Sequence, residues 1–301
     1  GKIASQIYAI YKSKNTLGVT PEWTVSLGNR AITKPYVFNQ SDTSQFILIQ
    51  ELDHTIHAIS PKGQETWSKV FAGRVIGDIQ QAEDRSIVLV TDKHLLYRFD
   101  VTGKTMKGYP VTLPAAPLTA PLLTTVKGQK ALLLATEKSI YAFDLEGRKI
   151  QQWQSYEVEG SITTSILAQE KNYIIGTSTG TIYWINDNGQ KIDQIKRNNT
   201  AVKALSLFDN YKIVALDSKG GLNLISNTAE SKYWTVTTDT AKYYGDFINV
   251  TSSNIPNIAV ISGNYLKVFS INDTLKTDFQ HHFTKPITDE MQFFESTTRK
   301  N

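Results

Sequence analysis

The stretch IYAFDLEGRKIQQW, from Ile140 to Trp153, decides how this chain folds. It begins with a short apolar run, continues through a polar segment that contains Gly147, and ends in a second run that closes on Trp153. Two such runs around a glycine-containing turn are typical of two antiparallel strands. Variants of the stretch recur along the whole chain, and they start near seven residues: Ile7, Ile56, Leu96, Ile140, Ile182, Leu222 and Leu266.

The spacing of these repeats indicates the architecture. Their starts lie 40 to 49 residues apart, which is the length of four short strands with their turns. Both faces of the strands are apolar, as expected when each sheet is packed between two neighbours. No segment shows the 3.6-residue periodicity of a helix. We therefore predict an all-β fold, a seven-bladed β-propeller of four-stranded antiparallel blades that forms a single domain over residues 1–301.

A further strand is predicted after each copy of the repeat, and it should be the inner strand of the next blade. These strands are expected to begin near Ile32, Ile76, Leu118, Ile162, Val202, Lys242 and Ile287. The last of them has no later strands to pair with, while the chain starts almost at a third strand, near Ile7. Because an unpaired edge exposes backbone groups, we predict that residues 288–295 join residues 2–27 in one shared blade that closes the ring.

The composition excludes several classes of protein. The chain has 301 residues, of which 32 are basic and 28 acidic, and the net charge of +4 is too small and dispersed for a nucleic-acid-binding surface. The absence of cysteine rules out disulfides, cysteine metal sites and a thiol nucleophile. No apolar run is long enough to span a membrane as a helix, and the first residues lack the pattern of a signal peptide.

The repeats resemble the PQQ-like family of propeller repeats, whose consensus is close to A-x-D-x-x-T-G-x-x-x-W. The best copies are AFDLEGRKIQQW (Ala142 to Trp153), RFDVTGKTMKGYP (Arg98 to Pro110) and AISPKGQETW (Ala58 to Trp67). The resemblance implies that the aromatic residue at the end of each copy packs one blade against the next. This role would belong to Trp23, Trp67, Trp153 and Trp234, with Tyr109 and Phe279 as substitutes.

The quinone-dependent enzymes of this family have eight blades and a vicinal cysteine pair, which this chain lacks. The resemblance therefore favours the non-enzymatic branch, which includes the lipoprotein propeller of the outer-membrane β-barrel assembly machinery. It implies a periplasmic, outer-membrane-associated or cell-surface location. We expect no cofactor and no catalytic residues.

The sequence contains no clear motif for metal binding, phosphate binding or catalysis. The five histidines, His54, His57, His94, His281 and His282, lack the spacing of a zinc site and are interpreted as exposed turn or edge residues, so no metal is expected. Neither a phosphate-binding loop nor a G-x-S-x-G nucleophile motif is present. An enzyme with carboxylates in the central funnel, where Asp78 and Asp289 form the one recognisable pair, stays an alternative.

Binding is expected at the face where loops lead from the outer strand of one blade to the inner strand of the next. Arg30 and Arg74 occupy equivalent places in two neighbouring loops, and arginine is enriched among interface anchors. Tyr243 and Tyr244 are the adjacent aromatic pair on this face that a carbohydrate-binding module would need.

The inner strands predict a polar cluster in the channel. Two residues after the predicted strand starts, the aligned positions hold Lys34, Asp78, Ala120, Thr164, Ala204, Tyr244 and Asp289. If the ring closes, the blades of Asp289, Lys34 and Asp78 are consecutive. We therefore expect Lys34 to bridge Asp289 and Asp78, with Tyr244 beside Asp289, either as a plug of the channel or as the floor of a binding site.

Our leading hypothesis is a non-catalytic interaction scaffold that binds a protein or an extended polymer through its funnel face. A carbohydrate-binding module of a surface protein and a hydrolase or lyase are the alternatives. We expect a monomer and no nucleic-acid partner. The identity of the ligand and the organism cannot be read from the sequence.

Ring closure can be tested by truncation. Deleting residues from Thr288 onward should lower the melting temperature far more than removal of an exposed tail, because it would leave the shared blade without its inner strand. Thermal unfolding of the truncated and full-length chains provides the measurement. Equal melting temperatures would refute closure by the C-terminal segment.

Overall fold

The computed structural model describes residues 5–11, 20–196, 199–208, 212–226, 231–236, 247–250, 257–262, 264–271 and 274–285. In these ranges all the helix and strand segments are strands, and every sheet is antiparallel. The chain divides into two compact units, Gly1–Gln151 and Gln152–Asn301. The prediction of an all-β chain is confirmed.

The first unit contains four sheets, formed in sequence order. The first pairs β1 (Ser5–Tyr11) with β2 (Thr20–Leu27). Two four-stranded sheets follow, β3 (Tyr36–Asn39), β4 (Gln45–Gln50), β5 (Thr55–Ile59) and β6 (Glu65–Val70), then β7 (Gln80–Gln81), β8 (Ile87–Thr91), β9 (Leu95–Phe99) and β10 (Val111–Thr112). The last sheet has three strands, β11 (Leu122–Val126), β12 (Gln129–Ala135) and β13 (Ile140–Asp144).

The second unit contains three four-stranded sheets with the same order of strands. They are β14 (Leu167–Gln169), β15 (Asn172–Gly176), β16 (Thr181–Ile185) and β17 (Lys191–Lys196); β18 (Val202–Leu207), β19 (Lys212–Asp217), β20 (Gly221–Ser226) and β21 (Ser231–Thr235); and β22 (Phe247–Val250), β23 (Asn257–Ser262), β24 (Tyr265–Ile271) and β25 (Leu275–His282). Each of the seven sequence repeats therefore starts at, or within two residues of, the first residue of a strand.

The aspartate and glycine of the repeat build the turn between its two strands. In the β11–β13 sheet, Asp144 Oδ1 accepts hydrogen bonds from the backbone N–H groups of Glu146 and Arg148. Gly147 donates its N–H to the Asp144 carbonyl and has a φ of 82°, a conformation that glycine adopts without steric cost. Asp100 with Gly103 and Asn186 with Gly189 repeat this arrangement.

In three of the repeats the closing tryptophan rests on a turn glycine further along the chain. A Cβ added to Gly63, Gly103 or Gly189 would lie 2.7 to 2.9 Å from the rings of Trp23, Trp67 or Trp153 respectively. The Trp23 and Trp67 indoles also donate hydrogen bonds to the carbonyls of Pro61 and Val101 in the same turns. Glycine is required here because any side chain would displace the indole ring.

Two further aromatic residues of the repeats also pack against the following sheet. The Tyr109 ring lies 3.5 Å from the Cβ position of Gly147, and Trp234 packs on the cluster that contains Ile258 and Phe269 of the following sheet. Phe279 differs, since its side chain is half exposed and the ring it meets within the described residues is that of His281.

The core lies between consecutive sheets. Fully buried Leu48, Ile56, Ile87 and Leu89 fill the space between the sheets β3–β6 and β7–β10. Val88, Val90, Leu132 and Leu134 do the same between β7–β10 and β11–β13. In the second unit, two further clusters separate its three sheets. Strands whose residues are buried on both faces explain why the sequence shows apolar runs without strict alternation.

The first strand of most sheets is interrupted, which corrects the predicted strand starts. Ala31, Val75, Pro117 and Ile162 each form a single β-bridge, and the continuous strands begin only at Tyr36, Gln80, Leu122 and Leu167. The four residues between bridge and strand are irregular. The β18–β21 sheet keeps the predicted start at Val202, although with a bulge before Ala204.

The bridges also correct the alignment in one blade. Ile162 is equivalent to Ala31 and Val75, because each forms the bridge to the end of the second strand. Ser165, rather than Thr164, therefore matches Lys34. Thr164 matches Thr33 instead, and both hydroxyls accept a hydrogen bond from a second-strand N–H group, those of Gly176 and Gln50 respectively.

Residues 286–301 lie outside the described residues, as do 1–4 and 12–19. The shared closing blade, the count of seven blades and the single domain over residues 1–301 therefore stay predictions. The β11–β13 sheet, with three strands, departs from the predicted four.

The aromatic-on-glycine contact predicts a difference between two glycine variants. Gly103→Ala should lower the free energy of unfolding by about 1–2 kcal/mol for the left-handed backbone and by about a further 1–3 kcal/mol for the overlap with Trp67. Gly128→Ala is the matched control, since Gly128 has the same φ of 81° but open space around its Cβ position. Urea denaturation of both variants measures the difference, and equal losses would contradict the packing role.

Candidate functional site

Loops and turns meet at one end of each sheet, which we call the loop end. It consists of the loop that precedes the first strand and the turn between the second and third strands. Backbone hydrogen bonds of 2.8 to 2.9 Å join the two: Leu52 donates to Arg30, Asp92 to Arg74, Ser178 to Ser161 and Ser218 to Ala201. The predicted site residues Arg30 and Arg74 thus occupy equivalent, anchored positions.

Both arginine side chains at the loop end are exposed. Neither guanidinium group has a hydrogen-bond or ion-pair partner within the described residues, whereas the backbone of each residue is fixed by its turn. A guanidinium group offers five N–H donors in a planar fork. The arrangement presents two cationic donors on rigid supports, which suits carboxylates or carbonyl groups of a partner.

A buried glutamine holds the second of these loops in place. Gln50 is fully buried at the end of β4, and its amide donates to the carbonyl of Gly73 and accepts from the N–H of Val75. On the other side, Asp92 Oδ1 accepts the N–H of Arg74 at 3.0 Å. Gly73 has a φ of 97°, and a Cβ there would lie 2.4 Å from that oxygen, so the loop needs glycine.

The first loop is tied by Asp53. Its carboxylate accepts hydrogen bonds from the Thr55 N–H and from the Asn29 amide. The hydrogen bond from the backbone of Thr55 is the main reason why the pKa of Asp53 lies below its usual value, and the Thr55 hydroxyl and Asn29 act in the same direction. The carboxylate is therefore ionised at neutral pH and keeps Asn29 beside the turn.

Lys34 and Asp78 form an ion pair on the irregular segments just inside the loop end. Lys34 Nζ lies 2.6 Å from Asp78 Oδ1. The Tyr36 hydroxyl donates to the same oxygen at 3.1 Å, and its ring lies 5.4 Å from Lys34 Nζ. The structure thus contains the Lys34–Asp78 half of the predicted bridge, while Asp289, Tyr243 and Tyr244 lie outside the described residues.

A second polar cluster surrounds His57 in β5. Its Nδ1 lies 2.5 Å from Glu65, and its Nε2 lies 3.5 Å from the buried carboxylate of Glu51. The hydrogen bond with His57 lowers the pKa of Glu65. The interpretation of His57 as an exposed histidine was wrong, because the alternation of β5 turns this side chain toward the interior between sheets. The two ring nitrogens of His57 face two different carboxylates, those of Glu65 and Glu51. Within the described residues, no group of three or more metal-ligating side chains is found.

Sequence reasoning missed Gln50, Asp53, Asp92 and Tyr36. The sequence contains one indication of Gln50, because this polar residue ends the apolar run FILIQ. Asp53 and Asp92 both lie in the short turn after a buried strand, and the aspartate side chain commonly accepts backbone hydrogen bonds in such turns. The contact of Tyr36 with Asp78 joins residues 42 positions apart, and no local pattern indicates it.

The comparisons with known structures identify the class of the protein as a β-propeller. BamB from Moraxella catarrhalis matches 94% of this chain and 89% of its own at 13% identity, with a TM-score of 0.65. BBS1N, in its complex with ARL6DN, matches 86% and 83% at 12% identity, with a TM-score of 0.64. The computationally designed Ika8 protein matches 98% and 92% at 14% identity, with a TM-score of 0.63.

The family is established by its sequence model. The model PQQ_2, described as outer membrane protein assembly factor BamB, matches residues 20–249, and the chain therefore belongs to this family. A search of curated proteins found no significant match. The described part of the chain contains no membrane-spanning helix.

The exposure of the Lys34–Asp78 pair predicts a small contribution to stability. Their side chains are 25% and 44% exposed, so Lys34→Met should lower the free energy of unfolding by about 1 kcal/mol or less, and not by the roughly 3–5 kcal/mol expected for a buried pair. Urea denaturation measures this loss, with Lys62→Met at an exposed turn as control. A loss of several kcal/mol would show that the cluster is a structural plug.

Proposed function

We propose that this protein is a non-catalytic scaffold that binds a protein partner through its loop end, with Arg30 and Arg74 as anchors. The observation that carries the proposal is the pair of equivalent arginines whose backbones are fixed by the turns and whose guanidinium groups have no partner within the described residues. Because the loop backbone is already fixed, binding does not have to order the loop, and less entropy is lost.

Membership of the PQQ-like family supports a scaffold role. The family model is described as an assembly factor of outer membrane proteins, and the structurally similar BBS1N was crystallised in complex with a protein, ARL6DN. We extend this to the present chain as a proposal, together with a periplasmic or outer-membrane-associated location. Lys34, Tyr36 and Asp78 lie a few residues from the arginines along the chain and are proposed to contribute polar contacts to the same surface.

The proposal can be tested by removing both anchors. In pull-downs from the native membrane fraction, the double variant Arg30→Ala/Arg74→Ala should retain at most about a tenth of the partner captured by the wild type, since each arginine anchor is worth about 1–2 kcal/mol or more. Its melting temperature should be unchanged because both side chains are exposed.

The matched control removes the same charge from the opposite end of the sheets. Lys62→Ala/Lys104→Ala changes two exposed lysines in the turns that carry Gly63 and Gly103, and it should capture the partner like the wild type. Unchanged capture by the arginine variant, or loss in the lysine variant alone, would overturn the assignment of the loop end.

A further inference from the structure

A cavity of about 380 Å³ lies at the end of the sheets opposite the loop end. It is formed entirely within the first unit, between the sheets β7–β10 and β11–β13. Its lining includes Ala82, Glu83, Asp84, Leu123, Lys130 and Leu145. It is thus separate from Arg30 and Arg74 and from the proposed scaffold surface.

The cavity arises from hairpins of unequal length. Seven residues separate the paired residues Gln80 and Val88, whereas ten separate Leu122 and Leu133. These two pairs are equivalent, because each lies at the same distance from the β-bridge at the start of its sheet. The short β7–β8 hairpin therefore leaves a notch beside the longer β11–β12 hairpin.

The corresponding gap between the sheets β3–β6 and β7–β10 is closed by a glutamine side chain. Gln81 accepts a hydrogen bond from the N–H of Asn39 at 2.9 Å and donates to its carbonyl at 2.8 Å. One carboxamide thus satisfies both backbone groups of a residue in the preceding sheet. Leu123 follows Leu122 as Gln81 follows Gln80, and it packs toward the β7–β10 sheet, but its side chain makes no hydrogen bonds.

Glu83 is left without the contact that Asn39 receives. Its backbone N–H and carbonyl have no hydrogen-bond partner within the described residues. The charges around the cavity, in contrast, are matched: Lys130 lies 2.5 Å from Glu83, and Arg98 lies 2.5 Å from Asp84. Paired charges favour a neutral polar ligand over a charged one, because they leave the cavity without a net charge that would attract a charged group.

The walls of the cavity favour a side chain of a protein over a sugar. Leu123, Leu145 and Ala82 supply aliphatic surface, and no aromatic ring is among the residues that line the cavity. An aliphatic stem that ends in a carboxamide matches both the walls and the free backbone groups. Gln81 itself shows that such a side chain fits between two of these sheets.

We propose that this cavity binds a glutamine side chain from an extended segment of a partner protein. The carboxamide would pair with the backbone N–H and carbonyl of Glu83, as Gln81 pairs with Asn39. The aliphatic part would lie against Leu123 and Leu145. The chain thereby has a second docking site for a protein, at the end of the sheets opposite the proposed scaffold surface.

The test is an NMR titration of the ¹⁵N-labelled full chain with three capped pentapeptides, acetyl-Ala-Ala-Xaa-Ala-Ala-amide, where Xaa is Gln, Glu or Met. The Gln peptide should bind saturably and shift the Glu83 amide signal. The Glu and Met peptides should bind at least about tenfold more weakly, because each leaves a backbone group of Glu83 unpaired. Equal binding of the three peptides, or no binding of the Gln peptide, would overturn the proposal.

A variant that fills the cavity from within gives an independent test. Leu123→Gln should form the bond with Glu83 intramolecularly, slow hydrogen exchange of the Glu83 amide, and weaken binding of the Gln peptide at least tenfold. Val37→Gln, at the equivalent position of the first four-stranded sheet, is the control and should bind like the wild type. Undiminished binding by Leu123→Gln, or displacement of the Gln peptide by N-acetylglucosamine, would contradict a glutamine site.

Binding of the Gln peptide should not depend on the two arginines of the loop end. Arg30→Ala/Arg74→Ala should bind the Gln peptide like the wild type, so failure of the scaffold proposal and failure of this site give different results. The comparison of the three peptides on the wild-type chain needs no variant to fold.

Discussion

The contact of an aromatic ring with the turn glycine of the next sheet is the constraint on which the rest of the structure depends. A four-stranded sheet buried on both faces cannot be stable alone, so consecutive sheets must be held in one register. In the first unit, Trp23 on Gly63 and Trp67 on Gly103 provide that register. The glycine serves two purposes, since its positive φ makes the turn and its missing side chain admits the indole.

Once the outer turns are fixed, polar side chains determine the shape of the inner strands and loops. The Gln50 amide forms hydrogen bonds with the backbone of Gly73 and Val75. Where the first strand of a sheet is interrupted, the Thr33 and Thr164 hydroxyls accept hydrogen bonds from backbone N–H groups of the second strand. Buried polar groups of this kind are stable only when they are hydrogen-bonded. The loops that carry Arg30 and Arg74 are therefore rigid supports rather than free linkers, which is the property that a binding surface needs.

Small departures from the repeat make the sheets differ from one another in their cavities and in their exposed side chains. Replacement of an amide by Leu123 and the short β7–β8 hairpin leave a cavity where the preceding pair of sheets is closed by Gln81. Arginine appears at the loop end in two neighbouring sheets, whereas the equivalent positions of the next three hold Ala116, Ser161 and Ala201. Sheets with the same order of strands thus carry different side chains at their two ends.

By itself the sequence determined the all-β class and the repeat, because turn chemistry and apolar runs are local and recur seven times, whereas the docking role of the tryptophans was implied by the family resemblance. It also placed Lys34 near Asp78, since a repeat brings equivalent residues of adjacent sheets together. Only the tertiary structure decided the interruption of the first strands, the one-residue shift at Ser165, the partial burial of His57 and the contact of Tyr36 with Asp78. These features depend on hydrogen bonds between residues far apart in the chain, and such pairings leave no periodic signal in the sequence.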